Sequence, residues 1–105
     1  MMSTTRAISL DDTVAAAQGQ IAADVGGELV ILNVATGEYY GLNAVGARIW
    51  ELIGEPTPVA DVLDELLREY TDVDRERCTA DLLALLNDLH AASLVEMRAA
   101  HAIGH

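Results

Sequence analysis

The sequence predicts an α+β fold, a three-stranded antiparallel sheet followed by three helices. Two apolar runs, Leu29–Val34 and Tyr39–Leu42, flank Ala35-Thr36-Gly37. That is a hairpin signal, because the last residue of a short loop between β-formers often needs a positive φ. Beyond Asn43 the apolar spacing changes from two residues to the three-and-four pattern of a helix. It is clearest in Val59, Val62, Leu63, Leu66, Leu67 and Tyr70.

Taken in order, residues 1–10 read as a flexible start, 11–98 as one domain and 99–105 as a flexible tail. Either Ile8-Ser9-Leu10 or Thr13-Val14-Ala15 supplies the first strand, joined to the hairpin through Gln18–Gly27. Gly26-Gly27 marks a turn just before Glu28. With Val34 opposite Glu38, Leu32 faces Tyr40 and Val30 faces Leu42. Val30, Leu32, Tyr40 and Leu42 then share one face and Leu29, Ile31 and Tyr39 the other. Both faces are apolar, although one helical layer can cover only one of them.

Asn43 is placed to cap a first helix carrying Val45, Ile49, Leu52 and Ile53, with Gly54 as its stop. Thr57-Pro58 opens a second helix, Thr as cap and Pro at the first helical position. Its wet face offers Asp64 and Arg68 as an i,i+4 pair. Thr71–Asp74 forms a turn and cap before a third helix over about Arg75–Ala92. There Cys78, Leu82, Leu85 and Leu89 lie on one line, with Leu83 and Leu86 beside it. So broad an apolar arc touches more than one neighbour. Ser93–Met97 is expected to pack back as a short extended tail.

Composition bounds the function. Hydrophobic residues make up 51% of the 105 residues and the mean hydropathy is +0.24, yet no apolar run nears the length of about 18 that spans a bilayer. No signal-peptide pattern opens the sequence, and the single cysteine, Cys78, suits a reducing compartment. The cytoplasm is the expected location. With 17 Asp+Glu against 6 Lys+Arg, the net charge of −11 opposes binding to nucleic-acid phosphates. Such acidity either keeps an apolar small protein soluble or matches a partner with a basic surface.

The side chains offer little chemistry. Cys78 and His90 do not make a zinc site, which needs three or four converging ligands, and two of the three histidines (His101 and His105) fall in the tail. Cys78 sits on the apolar arc, which reads as a core thiol rather than a nucleophile. There is no phosphate loop and no nucleotide fingerprint. No catalytic role, metal or cofactor is expected. What remains is a strand edge, Tyr39-Tyr40-Gly41, guarded only by Glu38, and such an edge can accept an extended peptide. Gly41 allows a backbone to approach closely. Tyr40, Leu42 and Trp50 read first as core. Tyr39, Ile31 and Leu83 are the better candidates for exposed contact.

Gly37-Glu38-Tyr39-Tyr40-Gly41-Leu42-Asn43, followed by Ile49-Trp50-Glu51-Leu52, resembles the PqqD-like family of RiPP recognition elements, small domains that bind leader peptides. The resemblance covers roughly Asp11 to Arg98 and is greatest to the stand-alone members of lasso-peptide clusters. It implies a winged helix-turn-helix-like arrangement and binding of a precursor's leader segment as an added strand. The implied partners are that leader, a leader peptidase and a cyclase, with neither nucleic acid nor membrane. The expected peptide-binding residues are Ile31, Glu38, Tyr39, Tyr40, Gly41 and Leu42 on the hairpin, with Arg75, Cys78, Thr79, Leu82, Leu83 and Leu86 on the third helix. Arg75 and Arg77 could pair with acidic peptide side chains. Two rivals stay open, a PqqD-type chaperone delivering its peptide to a radical SAM enzyme and a module that pairs its edge strand with a second copy.

Overall fold

A computed structural model describes residues 7–98. The elements are β1 (Thr13–Ala16), β2 (Gln20–Val25), β3 (Glu28–Asn33), β4 (Tyr39–Leu42), α1 (Ala44–Leu52), β5 (Thr57–Pro58), α2 (Val59–Glu69), α3 (Arg75–Ala91) and β6 (Val95–Arg98). The class is α+β, with three helices and the expected three-stranded antiparallel sheet, ordered β2-β3-β4. A second small sheet, β5-β1-β6, joins the two ends of the domain. The calls of a flexible start and tail fall mainly on residues 1–6 and 99–105, outside the described residues. Packing begins before Asp11: Ile8 is buried in the core and its N–H donates to Asn87 Oδ1 on α3 at 2.8 Å.

The third strand of the hairpin sheet differs from expectation. Gln20–Val25, read from sequence as a connection, pairs along its whole length with β3, from Gln20↔Asn33 to Val25↔Glu28. Gly26 and Gly27 both have positive φ (60° and 91°), the requirement of a two-residue type I′ turn. Thr13–Ala16 is a strand too, but it pairs with Val95–Arg98 and with Thr57-Pro58 instead. That placement buries Val14 and Val95 together in the core. The Ser93–Met97 tail therefore does pack back, as β6 and the residues leading into it.

The β3–β4 register is one residue away from the expected one, with Leu32↔Tyr39, Ile31↔Tyr40, Val30↔Gly41 and Leu29↔Leu42. The cause is Asn33, whose buried side chain takes over the turn. Its Oδ1 accepts from Ala35 N at 3.0 Å and Thr36 N at 3.3 Å, and its Nδ2 donates to Ala92 O at 3.2 Å beyond the end of α3. Val34 is thereby pushed into the loop and exposed, and Asn33 N donates to Glu38 O at 2.8 Å to close the pair. A one-residue slip exchanges faces. Leu29, Ile31, Tyr40 and Leu42 turn to the core, and Val30, Leu32, Tyr39 and Gly41 turn away from it.

The helices follow the apolar pattern with two local corrections. Asn43 caps α1, accepting from Gly46 N at 2.9 Å, and Asp74 caps α3, accepting from Arg77 N at 3.1 Å. Thr57 does not cap α2. Its hydroxyl donates back to Leu52 O and Glu55 O, while Pro58 holds the N-cap position with no side-chain bond. This follows from the pairing of Thr57-Pro58 with β1, which also brings Val59 N to Asp12 O at 2.9 Å. Arg68 pairs with Glu65 at 2.9 Å rather than with Asp64. Arg48 on α1 reaches across to α2, with bonds of 2.6–3.0 Å to both oxygens of Glu69, which hold that carboxyl below its usual pKa. Val59, Val62, Leu63 and Leu66 of α2 pack against Leu82, Leu86 and Leu89 of α3 in one core.

α3 ends in a Schellman arrangement without glycine. Leu94 N donates to Leu89 O, Ser93 N donates to His90 O, and Ser93 takes φ 64°. Two outcomes follow for equilibrium urea unfolding. Asn33→Ala lowers stability by about 2 kcal/mol, because it leaves Ala92 O and two turn N–H groups without their partner. Ser93→Gly raises stability by about 0.5 kcal/mol, the relief of the left-handed conformation exceeding the added freedom of the unfolded chain.

Candidate functional site

Among the described residues β2 and β4 are the two edge strands of their sheet, and the edge of β4 is the one that shares a groove with α3. In an antiparallel pair, hydrogen-bonded and non-hydrogen-bonded positions alternate. Counting from the Asn33–Glu38 pair, Tyr40 and Leu42 direct their N–H and C=O to β3, so those of Tyr39 and Gly41 point outward. Next to this edge lies a groove of about 450 Å³, open to solvent. Gly41, Leu42 and Asn43 line one side, Val45, Gly46 and Ile49 of α1 close one end, and Arg77, Cys78, Asp81, Leu82 and Leu85 of α3 form the opposite wall. Leu66, Tyr70 and Val73 complete it.

Local sequence explains the shape. The Asn43 cap turns the chain directly from β4 into α1, which stations the first turn of α1 at the groove's end. α1 can approach β4 this closely because residue 46 is glycine. A Cβ there would stand 3.1 Å from Leu42 Cβ and 3.2 Å from Leu42 Cδ2. On α3, residues 77, 78, 81, 82 and 85 recur at helical spacing and face the edge together. At the hairpin end of β4 a second recess is bounded by Glu38, Tyr39 and Tyr40 with Ala92 and Leu94.

The groove is apolar with a charged rim. Arg77 and Asp81 stand one turn apart on α3, with 3.9 Å between Nε and Oδ2 and both side chains well exposed. Burial, and then Asp81, push the Cys78 thiol up from its ordinary pKa, which keeps it protonated at neutral pH. Burial and the Asp88 carboxylate likewise raise the Tyr40 phenol. Among the described residues no three of His, Cys, Asp and Glu are grouped so as to hold a metal ion. No helix among them is long and apolar enough to cross a membrane.

Of the residues expected from sequence, Gly41, Leu42, Cys78 and Leu82 meet in the groove. Glu38, Tyr39 and Tyr40 border the recess at the other end of β4. Tyr39 is 74% exposed, and its side chain lies on the sheet's outer face rather than in the groove. Ile31 and Leu86 are fully buried in the core, and neither reaches the groove. Leu83 packs half-buried against that core. Arg75 and Thr79 border a separate shallow depression with Asp74, Glu76 and Ala80. Sequence reasoning omitted Leu85, Asp81, Val45, Tyr70 and Val73 from the expected set. The spacing Cys78–Leu82–Leu85 was the signal for Leu85, and Asp81 lies one turn after Arg77 on the same side.

Comparison with known proteins places this geometry in a family. Residues 28–95 match the family model described as coenzyme PQQ synthesis protein D (PqqD). No curated protein matches the chain. A solved structure of TbiB1 in complex with the TbiA(beta) leader peptide superposes with a TM-score of 0.69 at 35% identity, covering 78% of this chain and 94% of TbiB1. Lasso peptide synthetase B1 complexed with the leader peptide gives a TM-score of 0.68 at 26% identity, covering 79% of this chain and 96% of the other. The family match runs from the first residue of β3 to the first of β6 and so contains the whole groove, and the chain belongs to the PqqD family.

Proposed function

We propose that this protein binds the leader segment of a ribosomally made precursor peptide and presents it to a leader peptidase in lasso-peptide biosynthesis. The leader adds as a strand to β4, and its side chains enter the groove between β4 and α3. The observation that carries this reading is the outward main chain of Tyr39 and Gly41 beside an apolar groove. An exposed edge of this kind takes an extended peptide through main-chain bonds, and the pockets beside it select side chains. Both similar structures are leader-peptide complexes, which supports the same occupant here.

The role is tethering rather than bond making. Holding the leader fixes the rest of the precursor near the processing enzyme and raises its effective concentration there. Leu42, Ile49, Leu66 and Leu82 give the groove an apolar floor, and Leu85 and Val45 flank its opening. Arg77 and Asp81 stand where they can pair with charged side chains on either side of an apolar anchor.

A fluorescent leader peptide from the neighbouring precursor gene, titrated against the purified protein, tests this. Tyr39→Pro removes one outward N–H while leaving the bonds to β3 in place, and it weakens binding about fivefold. Tyr39→Ala keeps that N–H, so its affinity changes by less than about threefold. Leu85→Gln places an amide in the groove wall and costs about tenfold. A folded wild type that binds no local leader, or a Tyr39→Pro variant that binds as well as wild type, would sink strand addition.

A further inference from the structure

At the α1 end of β4 the outward strand edge holds a gap and a carboxylate side by side. Gly41 is one of the outward main-chain positions, and it places no side chain on the sheet face that it shares with its partner Val30. Side chains alternate along β3, so Glu28, two residues before Val30, lies on that face too. β4 ends at Leu42, opposite Leu29, and the chain leaves the sheet at Asn43 to cap α1. The strand position beside Glu28 is thereby vacated, and the Glu28 side chain leans toward the edge. Its Oε1 lies 3.5 Å from where a Cβ on Gly41 would stand.

Glu28 is exposed, and its carboxylate takes part in no ion pair or side-chain hydrogen bond among the described residues. Residues 20–42, which build the sheet, supply no Lys, Arg or His to neutralise it. A strand added to β4 changes these surroundings. The added residue directly opposite Gly41 exchanges main-chain bonds with it, and its side chain stands on the Gly41 face, while the residues before and after it point to the groove side. The missing Cβ leaves room for a long stem to lie across Gly41 and bring its tip to Glu28. A cation gains most from ending there. An acidic tip meets like charge, on a chain whose net charge is already −11, and an apolar tip takes water from the carboxylate without pairing it. Tyr39, exposed on the same face two residues away, offers its ring to the same cation.

Resting on the leader recognition proposed above, we infer that Glu28 selects a Lys or Arg in the leader, at the position seated against Gly41. The recognised segment then reads apolar, basic, apolar. Its flanking residues serve the groove, and the basic one serves the opposite side of the same strand.

A double-mutant cycle tests this, by titration of a fluorescent leader peptide from the neighbouring precursor gene. Wild type, Glu28→Gln and Glu28→Lys, each checked for folding by circular dichroism, are compared on the natural leader and on leaders with each Lys or Arg changed singly to Gln. Glu28→Gln weakens the natural leader about threefold, the loss of one exposed ion pair, and Glu28→Lys weakens it about tenfold by opposing like charges. One Lys or Arg accounts for the loss: with that residue changed to Gln, wild type and Glu28→Gln bind alike. Changing it to Glu instead restores binding to Glu28→Lys, which a merely structural role of Glu28 would not do. Added salt narrows the difference between wild type and Glu28→Gln. A natural leader that binds both equally well, or a loss that no single Lys or Arg explains, overturns the assignment and leaves leader recognition standing. A folded wild type that binds no local leader refutes leader recognition itself, and the role of Glu28 with it.

Discussion

Asn33 fixes the relation between the sheet and everything packed on it. A buried amide at the end of β3 must satisfy its polar atoms locally, and it does so with two turn N–H groups and the carbonyl of Ala92. Those three bonds set the length of the hairpin loop, and the loop sets the register of β4. They also fasten the hairpin to the end of α3, the element that walls the groove. One side chain therefore decides which β4 residues face the core, which main-chain groups face outward, and how far α3 stands from that edge.

The rest of the site follows from close approach. Gly46 lets α1 settle on Leu42, and the Arg48 contacts with Glu69 hold α1 against the end of α2. α2 in turn packs on α3 through the leucine core. The groove is thus bounded mainly by elements locked to one another, with Tyr70 and Val73 of the α2–α3 connection completing it. Its walls are in place before anything enters, which spares a ligand the cost of ordering them.

Much of this was legible in the sequence. The apolar stripe of 59–70, the caps Asn43 and Asp74 and the glycine turn at 26–27 each state a local preference that the fold obeys. What could not be read depends on distant partners. The segment Gln20–Val25 has weak strand character, and only its ladder with β3 makes it a strand. The register hinged on a carbonyl 59 residues away from Asn33. Ile31 was expected at the contact surface and Leu85 was left out for a related reason. Burial on a strand depends on register, and on α3 the apolar arc was too broad to divide between core and groove without the neighbouring helices. The edge strand, by contrast, was read from residue pattern alone, whereas Cys78 read from that pattern as a core thiol and lines the groove instead.

The abrupt turn at Asn43 limits what an added strand can gain from the backbone. β4 is only four residues long, and its outward positions are two, Tyr39 and Gly41. Four main-chain bonds at a net value of about 1 kcal/mol each amount to affinity near the millimolar range. Tighter recognition must therefore come from side chains sinking into the groove. A domain built this way is a poor general peptide binder and a selective one, because a mismatched sequence keeps the weak ladder and loses the part of the energy that discriminates.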